Sequence, residues 1–113
     1  MSLHLDPRHE AIVREILRST APDCEVWAFG SRAHGRGLKP FSDLDLAVIG
    51  GGNALGQRCA ALRRALEDSS LPFRVDVVEW ASLDDTFREL IRRERVVVQT
   101  SQLSPESEER KAG

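Results

Sequence analysis

Tyrosine is absent from this chain, and only four Phe and two Trp occur among its 113 residues. So few rings leave little surface on which the bases of a nucleic-acid strand could stack. An excess of either charge is also missing: 16 Lys and Arg stand against 18 Asp and Glu, for a net charge of −2. The molecule as a whole therefore has no general attraction to nucleic acid or an anionic membrane, and any anion site must be local. Cys24 and Cys59 are the only cysteines, far apart and without CxxC spacing, too few for a zinc site. They read as two buried thiols in a reducing compartment. No apolar run approaches the length that spans a membrane. Met1 to Asp6 lacks a basic stretch leading into an apolar one, so no signal peptide and a cytoplasmic location are expected.

What is present is an ordinary globular mix, 41% apolar and 30% charged, of a length that suits one domain. Asp6-Pro7 has the chemistry of a helix start, and Ile12, Val13, Ile16 and Leu17 then recur at helical spacing up to Pro22. Glu25 to Phe29 reads as a short buried strand stopped by Gly30. Gly30 to Phe41 carries Gly30, Gly35, Gly37 and Pro40 and reads as a loop. It is also basic, with Arg32, His34, Arg36 and Lys39 and no acid.

Asp43 to Ile49 alternates with strand period, placing Asp43, Asp45, Ala47 and Ile49 on one face and Leu44, Leu46 and Val48 on the other. A second long helix is expected over 54–67, then a strand over 73–79 with Arg74, Asp76 and Val78 on one face. Ser82-Leu83-Asp84-Asp85 resembles a capping box for a last helix carrying Phe87, Leu90 and Ile91. A final strand over 95–99 is expected at a sheet edge. The order αββαβαβ implies an α/β (α+β) sandwich, a mixed sheet packed against helices. The folded domain is expected over 1–100, with 101–113 a disordered polar tail.

The acids carry the chemistry. Aspartate suits strands poorly, yet Asp43 and Asp45 share one strand face with Cα atoms about 7 Å apart. At an effective dielectric of about 20 they repel by roughly 2 kcal/mol. Asp76 sits mid-strand between two valines, and on a neighbouring strand it would add a third charge. A divalent cation resolves that conflict, and hard carboxylate oxygens select Mg²⁺ or Mn²⁺. Taken singly, Asp-x-Asp is more often a solvated strand end or a turn cap. Gly30-Ser31, directly after a strand, offers a flexible backbone and a hydroxyl to a phosphate. Taken singly it is more often a plain tight turn, and Arg36 and Lys39 can be merely solvated charges.

Joined, these features form one ordered pattern: strand, Gly30-Ser31, glycine-rich loop, Ser42-Asp43-Leu44-Asp45-Leu46, helix, Val75-Asp76-Val77. The pattern resembles the DNA polymerase beta-like nucleotidyltransferase superfamily from Ala21 to about Gln99. The resemblance implies that Gly30 and Ser31, with Arg32 extending the turn, serve the nucleoside triphosphate, and the basic loop offers Arg36 as a further contact. It implies that Asp43, Asp45 and Asp76 are catalytic and hold two Mg²⁺ ions, with Asp76 helping to activate the acceptor hydroxyl. The small size resembles minimal nucleotidyltransferases, each paired with an all-helical HEPN protein. That implies an antitoxin that moves AMP from ATP onto its partner. Two features depart from the common form: His34 stands where many relatives have Arg or Lys, and the loop to Asp43 is about one residue longer.

A chain with no acceptor-binding module is expected to dock a helical partner or a second copy of itself. The competing expectation is a binding module that neutralises a helical partner by covering it, with weak or no catalysis. A nucleic-acid-tailing enzyme of the same superfamily is disfavoured by the acidic balance and the scarce aromatics.

Overall fold

A computed structural model describes residues 3–50 and 52–101. The expected tail, 101–113, lies outside the described residues except for Ser101. The chain forms α1 (Pro7–Thr20), β1 (Cys24–Phe29), α2 (Ser31–His34), β2 (Leu44–Gly50), α3 (Leu55–Glu67), β3 (Val75–Glu79), α4 (Asp85–Glu94) and β4 (Val96–Gln99). Short 3₁₀ turns precede α3 and α4.

The caps explain where the long helices begin. Asp6 accepts from the Arg8 amide and Pro7 opens α1, as its sequence predicts. The start of α4 differs from expectation: Asp84, not Ser82, accepts from the Phe87 amide at 2.8 Å. Ser82 instead closes the preceding 3₁₀ turn, its hydroxyl donating to the Glu79 carbonyl. The first carboxylate of the motif is therefore the cap, and the serine sits two residues too early.

The sheet is mixed and four-stranded, in the order β3-β2-β1-β4. Strands β1 and β2 pair antiparallel, with Phe29 opposite Asp45. Strands β2 and β3 pair parallel, joined through α3, with Asp45 opposite Asp76. Strand β4 lies at an edge, as expected, and pairs antiparallel with β1. β3 forms the other edge and begins at Val75 rather than Phe73.

Alternation divides the sheet into two faces. Cys24, Val26, Ala28, Leu44, Leu46 and Val48 turn inward with Val13 and Leu17 of α1 and Cys59, Leu62 and Leu66 of α3, forming one buried cluster. Both thiols are buried there. The opposite face is thinner. Phe29 meets Phe87 of α4 edge-on at 5.6 Å, and Trp27 meets Trp80 at 5.1 Å. The tryptophans are only half-buried and carry arginines: Arg95 over Trp27, and Arg88 and Arg92 over Trp80. The two faces matter because Asp45 shares the thin one with Phe29.

Candidate active site

Two stretches of backbone fix the acids. Asp43 and Asp45 lie two residues apart at the start of β2, so they project from one face. The parallel register then sets Asp76 directly opposite Asp45. A hydrogen bond from the Leu44 amide to the Arg74 carbonyl, at 2.9 Å, locks that register at the strand starts. The three acids thus share one face at one end of the sheet, beside the end of β1.

Their electrostatics match their crowding. Burial, then the charges of Asp76 and Asp43, pushes the Asp45 carboxyl up to about 6 from an ordinary 3.8. The opposing pull of Arg74 is smaller. That guanidinium lies across the mouth of the cluster, its Nη2 3.4 Å from Asp43 Oδ2 and its Nε 3.4 Å from Asp76 Oδ1. Among the described residues, no three His, Cys, Asp or Glu side chains converge on one point that could hold a metal ion. The donor set nevertheless fits a hard divalent cation: three carboxylates share one face, and Asp45 lacks a counter-charge of its own.

Gly30 brings the second half of the site to the first. Its φ of 78° and ψ of −162° fall where only glycine is at ease. A Cβ there would lie 2.5 Å from Asp45 Oδ2. The turn is therefore pressed against a carboxylate, which explains the glycine better than a need for bending alone. After it, residues 31–34 form a helical turn, where the glycine content predicts loop. The Ala33 and His34 amides donate to the Gly30 carbonyl, and the Gly35 amide to that of Ser31.

The arginines of the loop part company. Arg32 is 6% exposed, and its guanidinium donates to the carbonyls of Ser42 at 2.8 Å, His4 at 2.9 Å and Pro40 at 3.1 Å. It also lies 4.4 Å over the ring of Phe73. The donors of this side chain are committed to backbone carbonyls, which gives it a role inside the fold. Arg36 is exposed and pairs with Glu94 at 2.9 Å. The Arg36 amide donates to His34 Nδ1, which leaves Nε2 directed toward Glu94 at 3.9 Å. The Arg36 guanidinium therefore rests on the end of α4, and the structure does not join it to the acids.

Sequence reasoning left Arg74, Phe73, His4 and Glu94 without a part. Arg74 had a signal, since it shares a strand face with Asp76. The other three act through a carbonyl or an aromatic stack, or lie far along the chain from their partners. Spacing does not reveal such contacts.

Against known proteins, the nucleotidyltransferase domain family matches residues 10–98. The probable protein adenylyltransferase MntA of Haemophilus influenzae is 44% identical over 96 residues, covering 85% of this chain and 83% of the relative. Among solved structures, a toxin-antitoxin with AMP-PNP aligns with a TM-score of 0.58 at 22% identity, over 86% of this chain and 77% of that one. A double mutant of the toxin-antitoxin MntA-HpeT reaches 0.64 at 21% identity, over 86% and 77%. A tri-AMPylated Shewanella oneidensis HEPN toxin in complex with MNT antitoxin gives 0.54 at 20% identity, over 88% and 76%. At these identities the structures establish the fold: a mixed sheet packed against helices, as in polymerase beta-like nucleotidyltransferases.

Proposed function

The chain belongs to the nucleotidyltransferase domain family, and from that membership we propose that it moves AMP from ATP onto a hydroxyl of a helical HEPN-type partner protein. One observation carries the reading: the register that sets Asp76 opposite Asp45, with Asp43 two residues away and the Gly30 turn against the same carboxylate. The 44% identical relative described as a protein adenylyltransferase supports AMP as the transferred group. The MNT and HEPN pair among the structural matches supports the partner.

The chemistry is assigned as follows. Gly30 and Ser31 hold the triphosphate, its α-phosphorus facing the acids. Asp43, Asp45 and Asp76 would hold two Mg²⁺ ions, or Mn²⁺, which would supply Lewis-acid activation of the acceptor hydroxyl and charge neutralisation for the pyrophosphate. The acceptor oxygen bonds to the α-phosphorus while the bond from that phosphorus to the β-phosphate bridging oxygen breaks. Asp76 takes the hydroxyl proton, and pyrophosphate leaves with the electron pair. Positioning and charge supply most of the rate. Among the described residues no helix is long and apolar enough to cross a membrane, and a cytoplasmic location is part of the proposal.

The test is pyrophosphate release from ATP in the presence of the partner. Replacing Asp43 and Asp45 together by Asn should lower the rate by at least about a hundredfold, since even supporting groups around a metal are worth 10–100-fold. Unchanged release would end the transferase reading. Neutralisation of the partner without any release would favour the binding module instead.

A further inference from the structure

The three acids are gathered on one face yet do not converge, and a guanidinium lies between two of them. We propose that Arg74 is the resident counter-cation of this cluster, displaced when a divalent ion enters, so that it sets how tightly the ion is held. The inference rests on the proposed metal site.

Four observations support it. Arg74 touches Asp43 and Asp76 at once, leaving Asp45 as the acid it does not contact. Those two carboxylates make no other ion pair among the described residues. A guanidinium has no accessible neutral form, so it can leave only by moving. Movement is open to it. The contacts of 3.4 Å are longer than a well-made N–H···O bond, and the side chain is 72% exposed. Its backbone stays fixed meanwhile, because the Arg74 carbonyl accepts from the Leu44 amide.

A place to go is also present. A cavity of about 350 Å³ opens beside Asp76 along the free edge of β3, lined by Arg63, Glu67, Phe73 and Arg74 among others. Glu67 gives a displaced guanidinium a second carboxylate. The exchange would therefore replace a monovalent, loosely held cation by a divalent one at the same carboxylates, without moving the strands.

The experiment uses the full chain without nucleotide. Mn²⁺ affinity is measured calorimetrically for the wild type, Arg74→Gln, Arg63→Gln and the Asp43→Asn plus Asp45→Asn double variant. The Arg74 Nε–H NMR signal is followed through a Mg²⁺ titration. Removing an exposed ion pair should tighten Mn²⁺ binding by roughly two- to fivefold in Arg74→Gln. Arg63→Gln, which removes a neighbouring charge that touches no acid of the cluster, should leave it unchanged. The Nε–H signal should move in step with Mg²⁺ occupancy. Equal or weaker binding in Arg74→Gln overturns the proposal, as does equal tightening in Arg63→Gln, which would show a general field rather than displacement. If neither the wild type nor Arg74→Gln binds either ion, the metal site itself fails. Loss of binding in the aspartate double variant, with no gain in Arg74→Gln, rejects the role of Arg74 alone.

Discussion

The two halves of the site are positioned by different kinds of bond. The acids are placed by strand pairing: Asp45 faces Asp76 because backbone amides and carbonyls of β2 and β3 are in register. The turn at 30–34 is placed by side chains and one backbone peculiarity. Arg32 ties it to the Pro40–Ser42 segment that leads into Asp43, to His4, and to Phe73 ahead of β3. Gly30 lets it close on Asp45. A repeated ladder spreads its strength over many bonds, whereas the turn concentrates it in two residues. Substitutions should therefore disturb the turn far more readily than the alignment of the acids.

Gly30→Ala is the most severe way to test that contrast. It combines a glycine-only backbone with a Cβ placed 2.5 Å from Asp45 Oδ2. Strain and clash together should lower stability by about 2–4 kcal/mol, with ATP-dependent pyrophosphate release falling at least tenfold. A variant with wild-type urea midpoint and rate would show that the turn is not pressed against the acid.

Arg32→Ala comes next. It leaves the carbonyls of His4, Pro40 and Ser42 without their donor, at a cost of about 2–3 kcal/mol in urea unfolding. Arg32→Lys should recover part of this, since an ammonium keeps the charge but not the fork. A loss below about 1 kcal/mol in Arg32→Ala would mean the loop is held by other contacts.

The acid half should behave in the opposite sense. Asp45 has its pKa raised on folding, so its carboxyl stabilises the fold when protonated. That contribution is complete below the ordinary value of 3.8 and is lost as pH rises through about 6. In chelator, Asp45→Asn should exceed the wild type in stability by about 2 kcal/mol near pH 7.5, after allowance for partial exposure, and match it near pH 3.5. A variant that is less stable at both values would show that Asp45 is not strained by its neighbours.

Arg36→Ala should have the smallest effect. Its exposed pair with Glu94 contributes under about 1 kcal/mol. A rise of roughly threefold in the KM for ATP would return Arg36 to the nucleotide, and an unchanged KM would leave it as a tether between the loop and α4.

Much of the fold was legible. The cap at Asp6, the period of two over 43–49 and the period near 3.6 in α1 and α3 are local signals, and the structure bears them out. What was not legible shares a cause. Residues 31–34 looked like loop because glycines flank them, yet Gly30 and Gly35 bound a helical turn rather than dissolve it. Arg32 follows Gly-Ser, and no local signal reveals that the carbonyls of His4, Pro40 and Ser42 accept from its guanidinium.

The sequence alone determined which residues could bear charge and on which strand face each would stand, because side-chain direction alternates along a strand whatever the partner strand is. The tertiary structure decided which charges meet. Strand order and register, set by the burial of the α1 and α3 face, put Asp76 opposite Asp45. Long-range contacts withdrew Arg32 from the surface and laid Arg74 over the acids. Coulomb energies depend on distances through space, and those exist only once the chain has packed.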